Sequence, residues 1–261
     1  MNAREALADA ERRLAAAGVE TPRVDAELLL AHVLGTTRSG VHARLDADVD
    51  GALEPLLARR ERREPLAYVL GSWGFRRLTL KTDARALVPR PETEVVVERA
   101  LALLADVSAP RVLDIGVGSG AIALALKDEC PDAHVVAVDV SPAALELAHE
   151  NAMRLGLEVE LREAGLEAAA AEEWDLVVSN PPYVESLEGL QPELRHEPET
   201  ALVGEGFHER IAHVARTRFL VLEVGDGQAR TVARKLRGAG YRNVTITRDL
   251  TGTERVVDAT T

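Results

Sequence analysis

The 261-residue sequence holds a single cysteine, Cys130. One thiol closes no internal disulfide and builds no cysteine-based zinc site, so stability must come from packing, and a reducing compartment is expected. No stretch reaches the roughly 18 consecutive apolar residues that a membrane-spanning helix needs. The opening stretch MNAREALADAERRLAAAG is charged throughout and contains no apolar core of a signal peptide, so a cytoplasmic protein is expected. Positive charge is also scarce. Lys and Arg number 31 against 43 Asp and Glu, a formal net charge of -12. Nucleic-acid binders usually carry a basic footprint, so this balance favours a protein or small-molecule partner. The local run Arg59, Arg60, Arg62 and Arg63 still leaves a basic face open. Low-complexity and collagen-like repeats are missing too, and 46% hydrophobic with 28% charged residues describes a folded chain.

Two regions read differently. Up to about residue 70 the apolar positions follow helical spacing: Ala3, Leu7, Ala10 and Leu14 form one stripe, closed by Gly18. A second helix is expected with Thr21 as N-cap, Pro22 at its first position and Gly35 as its stop. A third is expected from Asp50 to Glu64, ahead of Pro65. From residue 75 strands alternate with helices, which predicts an α/β fold with a parallel sheet covered on both faces. The stretch 75–82 is expected as a half-buried strand or hairpin arm, and strands are expected at 111–117, 134–140, 159–163, 174–179, 219–224, 243–248 and 255–258, with helices at 92–105, 121–129, 142–155 and 228–239. The alanine run Ala168 to Ala171 reads as a helix turn.

Two motifs carry chemistry. In LDIGVGSGAIALAL (113–126) a buried strand runs through Gly116, Gly118 and Gly120 into a helix, so backbone can approach a ligand at the carboxyl end of the sheet. Gly116, Gly118 and Ala121 satisfy G-x-G-x-x-G/A, and Asp139 ends the next strand where an acid meets a ribose hydroxyl. A nicotinamide-dinucleotide domain and an S-adenosylmethionine domain both place residues this way. Asn180-Pro181-Pro182-Tyr183 separates the two. It follows strand WDLVVS into the same crevice, and its prolines stiffen the loop and remove competing N–H donors. A carboxamide or exocyclic base amine is a poor nucleophile because its lone pair is delocalised. Two acceptors gripping its hydrogens, the Asn180 side-chain carbonyl and the Pro181 backbone carbonyl, would turn that nitrogen toward an electrophile.

Together with Pro89-Arg90-Pro91-Glu92-Thr93-Glu94, these motifs make the chain resemble the peptide chain release factor N5-glutamine methyltransferases, the HemK/PrmC family. Pro65 to Gly71, Glu197-Pro198, Ala201-Leu202, Leu222 to Gly225 and Gln228 extend the resemblance nearly end to end. It implies a Rossmann-like S-adenosylmethionine-dependent methyltransferase sheet with a small N-terminal helical bundle. Its expected parts are a substrate-docking domain at 1–72, a connecting hairpin or linker at 73–90 and a catalytic domain at 91–261. It further implies that Gly116, Val117, Gly118, Ser119 and Gly120 lie against the methionine and ribose of the cofactor and that Asp139 binds the ribose hydroxyls. Asn180, also beside the cofactor, and Pro181 would orient the glutamine amide, with Pro182 completing the substrate loop, Tyr183 packing beside the amide, and Arg90 and Thr93 bracing the pocket. The stretch 162–167 gives no assignable adenine contact, and Gly204 to Arg218 lacks the Pro-Gly-Gly turn of the family.

The implied reaction moves the methyl of S-adenosylmethionine to the side-chain amide of the Gly-Gly-Gln glutamine in a translation release factor. Alternatives are a glutamine of another protein such as a ribosomal protein, an exocyclic amine of a nucleic-acid base, or a cofactor-sensing module without turnover. No metal is expected, since His32, His42, His134, His149, His196, His208 and His213 show no ligand spacing. Cys130 reads as structural. The acids Glu185, Glu188, Glu193, Glu197 and Glu199 read as a solvated face or as a rim for a basic partner. No stable nucleic-acid complex and no membrane association are expected, and the oligomeric state is left open.

Overall fold

A computed structural model describes every residue except Asp50 and Glu185. The chain forms two compact units, Met1–Ser72 with Leu190–His196, and Trp73–Gly189 with Glu197–Thr261.

The first unit is helical: α1 (Ala3–Ala16), α2 (Pro22–Val33), α3 (Arg38–Val41), α4 (Leu53–Glu61) and α5 (Leu66–Leu70). Asn2 starts α1 with a reciprocal cap, accepting from the Glu5 N–H at 2.9 Å while the Glu5 carboxylate accepts from the Asn2 N–H. The stripe Ala3, Leu7, Ala10 and Leu14 is buried, joined by Ala6, against Leu29 and Leu30 of α2 and Leu53 and Leu57 of α4. Thr21 does precede α2, but its hydroxyl donates to Asp25 Oδ1 at 2.8 Å instead of receiving a backbone N–H. Asp25 is then drawn into a buried ion pair with Arg60, Nε to Oδ2 2.7 Å. Arg60 and Arg63 both reach Glu193, at 2.9 and 2.7 Å, which makes 190–196 part of this unit. The third expected helix is shorter than 50–64: its expected start, Asp50, lies outside the described residues, and it ends where Arg63 turns left-handed, φ 63°.

The second unit opens with a hairpin, β1 (Ser72–Phe75) and β2 (Leu78–Lys81); the stretch 75–82, expected as a strand or hairpin arm, supplies its turn, where Arg76 has φ 50°, and its second arm. There follow α6 (Glu94–Leu104), β3 (Arg111–Ile115), α7 (Ala121–Glu129), β4 (His134–Asp139), α8 (Pro142–Leu155), β5 (Glu160–Glu163), α9 (Ala168–Ala171) and β6 (Trp174–Ser179). The chain closes with α10 (Glu199–Leu202), α11 (Phe207–Val214), β7 (Thr217–Glu223), α12 (Ala229–Gly238), β8 (Arg242–Arg248) and β9 (Glu254–Thr260). The sheet order is β5-β4-β3-β6-β7-β9-β8.

The sheet is not wholly parallel as expected. β9 runs antiparallel to both β7 and β8. The five residues between β8 and β9 are too few for a crossover, and the Asp249 carboxylate folds them tightly by accepting the Thr251 and Thr253 N–H groups at 2.9 and 3.0 Å. Alternate residues of the central strands face opposite layers. Val112, Val135, Ala137, Leu176, Val178 and Val221 pack with α6, α7 and α8, while Leu113, Val136, Val138, Val177, Leu220 and Leu222 pack with α9, α11 and α12. α11 lies within 204–218, where the apolar spacing by itself marks no helix. Its few apolar residues (Phe207, Ile211, Ala212, Val214) give too short a stripe for periodicity to register.

Candidate active site

The carboxyl ends of β3, β4, β6 and β7 lie along one edge, and β3 is where the strand order reverses, with β4 on one side and β6 on the other. Ligands of open α/β sheets settle in such a crevice because the loops leaving it diverge. A cavity of about 400 Å³ occupies this place. Its wall includes residues 85–90, Thr93, 115–119, Asp139 to Ser141, 164–167 and 179–182, with Phe207 and Arg210 from α11.

On one side stands the glycine turn. Gly116 and Gly118 have φ 81° and 53°, a left-handed backbone that side-chain-bearing residues avoid. A Cβ on Gly116 would meet nothing within 4 Å, so the missing side chain leaves open space for a ligand against bare backbone. Val117 and Ser119 also line the cavity, whereas Gly120 does not. A Cβ there would press on Leu124 Cδ1 at 2.8 Å and Ala148 at 3.5 Å, so Gly120 lets α7 and α8 pack closely. Asp139 is aimed by backbone: Gly118 N–H donates to Oδ2 at 3.0 Å and Ser141 N–H to Oδ1 at 2.9 Å. Each carboxylate oxygen keeps a lone pair for a ribose hydroxyl. These features fit S-adenosylmethionine. Beneath the turn, Asp114 is buried in β3, with Oδ2 accepting from Ala123 N–H and no partner for Oδ1 among the described residues. Burial, with Asp139 adding, pushes its carboxyl up to about 8.

On the other side, Asn180, Pro181 and Pro182 line the cavity. The preceding Ser179 is buried and donates its hydroxyl to the Ile115 carbonyl at 2.7 Å, which fixes the loop's departure from β6. Asn180 Nδ2 donates to Thr93 Oγ1 at 3.4 Å, and Thr93 donates to Glu223 Oε2 at 2.6 Å. Tyr183 was expected beside the substrate but does not line the cavity. Its hydroxyl donates to Glu223 Oε1 at 3.3 Å, its carbonyl accepts from Gln228 Nε2, and its ring packs on Gly225. Burial, then Glu223, raises the Tyr183 phenol above its ordinary value.

Arg90 reaches Glu197, whose other oxygen accepts the Val88 N–H at 2.9 Å. Glu197 is therefore a buried brace for 88–90. The expected solvated acidic face is accordingly divided: Glu197 and Glu193 are engaged internally, Glu188 and Glu199 are exposed, and Glu185 lies outside the described residues. Sequence reasoning missed Phe207, Arg210, Val140 and Leu166, which line the cavity, and the role of Glu223 beneath it. For Glu223 a signal existed, since a lone acid ends the apolar strand FLVLE, as Asp139 ends its own. Among the described residues no group of His, Cys, Asp or Glu is arranged to hold a metal ion.

Residues 5–71 match the PrmC N-terminal domain family and residues 95–207 the methyltransferase small domain family. The release factor glutamine methyltransferase of Deinococcus radiodurans is 43% identical, covering 99% of this chain and 98% of that protein. The chain belongs to the release factor glutamine methyltransferase family. The Escherichia coli K12 member is 39% identical over 91% of each chain. The catalytic domain of hMettl16, solved in complex with MAT2A 3′UTR hairpin 1, shares the fold at a TM-score of 0.60 and 19% identity, covering 78% of this chain and 80% of that one. Enzymes of this family are S-adenosylmethionine-dependent methyltransferases.

Proposed function

We propose that this chain methylates the side-chain amide nitrogen of a protein glutamine, the Gly-Gly-Gln glutamine of a translation release factor. The observation that carries this is the presence, in one cavity, of the glycine turn with Asp139 and of Asn180 with its amide nitrogen already engaged by Thr93. With Nδ2 committed, Asn180 offers Oδ1 to an incoming N–H. The Pro181 carbonyl is the second acceptor, and Pro182 brings no N–H to compete.

Gly116 to Ser119 and Asp139 would hold the methionine and ribose parts of S-adenosylmethionine, and Val140, Ala164 and Leu166 supply an apolar wall for the base. The cofactor contributes a sulfonium methyl that is already electrophilic. The protein's remaining task is orientation. Asn180 and Pro181 grip the two amide hydrogens so that the nitrogen lone pair faces the methyl carbon. The nitrogen–carbon bond would form as the sulfur–carbon bond of the cofactor breaks, and the surplus amide proton would leave to water. Positioning of this kind can supply roughly 7–11 kcal/mol of the barrier, which removes the need for a strong base in the site. The helical unit would dock the protein substrate, its contacts contributing binding remote from the reacting atoms.

Incubation with radiolabelled S-adenosylmethionine, a release factor and its Gln→Ala variant at the Gly-Gly-Gln position tests the assignment. Label in the former and none in the latter is expected. Label on another protein or on nucleic acid, with none on the release factor, overturns it.

A further inference from the structure

Asn180 is useful only one way round. Its amide has an acceptor end and a donor end of nearly equal size, and turning it over would present N–H groups to the N–H groups of a substrate amide. The cavity side of the residue does not decide this, because it opens to the ligand. The buried side holds Thr93, 4% exposed, and behind it Glu223, fully buried. A threonine hydroxyl has one hydrogen. Here it is given to Glu223 Oε2 at 2.6 Å, which leaves Thr93 Oγ1 with lone pairs alone to offer Asn180. An oxygen that can only accept must meet Nδ2, as it does at 3.4 Å, and Oδ1 is then turned away from it.

We infer that Glu223 is a positioning residue that sets the orientation of the Asn180 amide through the Thr93 hydroxyl, an inference that rests on the glutamine-methylating reading of the site. An ionised carboxylate only accepts, so it fixes the direction of both hydrogen bonds. A neutral carboxylic acid donates. With its proton on Oε2 it would give a hydrogen to Thr93, free the threonine hydrogen for Asn180 Oδ1, and favour the inverted amide.

The groups facing Glu223 make this reversal accessible near neutrality. Burial pushes its carboxyl up to about 7; Thr93 opposes, Glu92 adds to the rise, and Arg255 and Tyr183 oppose it. His208 approaches the Glu223 backbone carbonyl at 2.7 Å and leaves the carboxylate to Thr93 and Tyr183.

The test uses the full-length enzyme, saturating S-adenosylmethionine and a release-factor substrate in single-turnover reactions across the neutral range. The wild-type rate should fall on the acid side with a midpoint near 7. Glu223→Gln should lower the rate about 10- to 100-fold, as loss of a supporting hydrogen bond behind a functional group does, and flatten the acid limb while cofactor affinity stays within about twofold. Thr93→Ser, which keeps the hydroxyl, should retain the rate, and Thr93→Val should lose it as Glu223→Gln does. A readout independent of turnover is the side-chain amide resonance of Asn180 in protein labelled at its four asparagines, which should titrate near 7 in the wild type and stay still in Glu223→Gln. Wild-type rate and pH profile in both Glu223→Gln and Thr93→Val, with an Asn180 resonance that titrates in both, overturn the inference. If the wild type itself methylates no glutamine, the reading of the site fails, and the resonance still decides whether Glu223 orients Asn180.

Discussion

On the proposed reading Asn180 faces the substrate amide and Asp139 the ribose of the cofactor, and each can be removed without disturbing a packed core. Asn180→Ala deletes one of two acceptors for the amide hydrogens. By comparison with loss of one preorganised polar contact, the single-turnover rate should fall about 10²–10³-fold, with a much smaller change in cofactor affinity. Asp139→Ala deletes charge-assisted hydrogen bonds worth about 1.5–3 kcal/mol, so calorimetric titration should show S-adenosylmethionine binding weakened roughly 10- to 150-fold. An unchanged dissociation constant removes Asp139 from the site. Asp114 acts on stability. Its folded-state carboxyl lies at about 8, above its ordinary 3.8, so the charged form is penalised in the folded state above that value and the penalty is relieved as pH falls. Glu223, raised to about 7, acts in the same direction. The melting temperature should therefore rise from mildly alkaline to mildly acidic solution, and Asp114→Asn should remove much of that slope. An unaltered slope in this variant would show that Asp114 does not carry it.

The elements are held by interactions that differ in how much they depend on the distant chain. Arg60 sits between Asp25 of α2 and Glu193 of the 190–196 segment, with its side chain 7% exposed. Arg60→Met leaves both acids with less compensation in a buried place and should destabilise the helical unit by about 3–5 kcal/mol. Both tryptophans, Trp73 and Trp174, belong to the other unit, so urea unfolding followed by circular dichroism should show an earlier phase in the variant while the tryptophan transition stays put. A shift of the tryptophan transition alone would contradict this placement. The same contrast explains what the sequence made legible. α1, α7 and α8 follow from stripes, caps and proline positions within one stretch of chain, and the glycine turn and Asn180 are local motifs at strand ends. The pairing of β9 with β7 and the joining of 190–196 to the helical unit through Glu193 depend on segments far apart in sequence. Glu223 stands out as a lone acid ending its strand, but its pairing with Thr93, 130 residues away, does not show in the sequence.

For the whole molecule, the cavity is lined by residues of the second unit, and the proposed function assigns the chemistry to that unit. Deleting residues 1–72 should leave S-adenosylmethionine binding intact and sharply reduce methylation of an intact release factor, while a short glutamine peptide is methylated equally slowly by both forms, because remote contacts contribute binding and positioning. Full-rate methylation of the intact substrate by the truncated form would refute docking by the helical unit. The proposed function stands on Asn180 orienting a glutamine amide for methyl transfer. Its most direct test is a mass map of release factor after one turnover by the wild type and by Asn180→Ala, both saturated with S-adenosylmethionine. A single methyl on the Gly-Gly-Gln glutamine side chain is expected with the wild type, and about 10²–10³-fold less of it in the same time with the variant. Equal methylation of that glutamine by both would show that the Asn180 loop is only a turn.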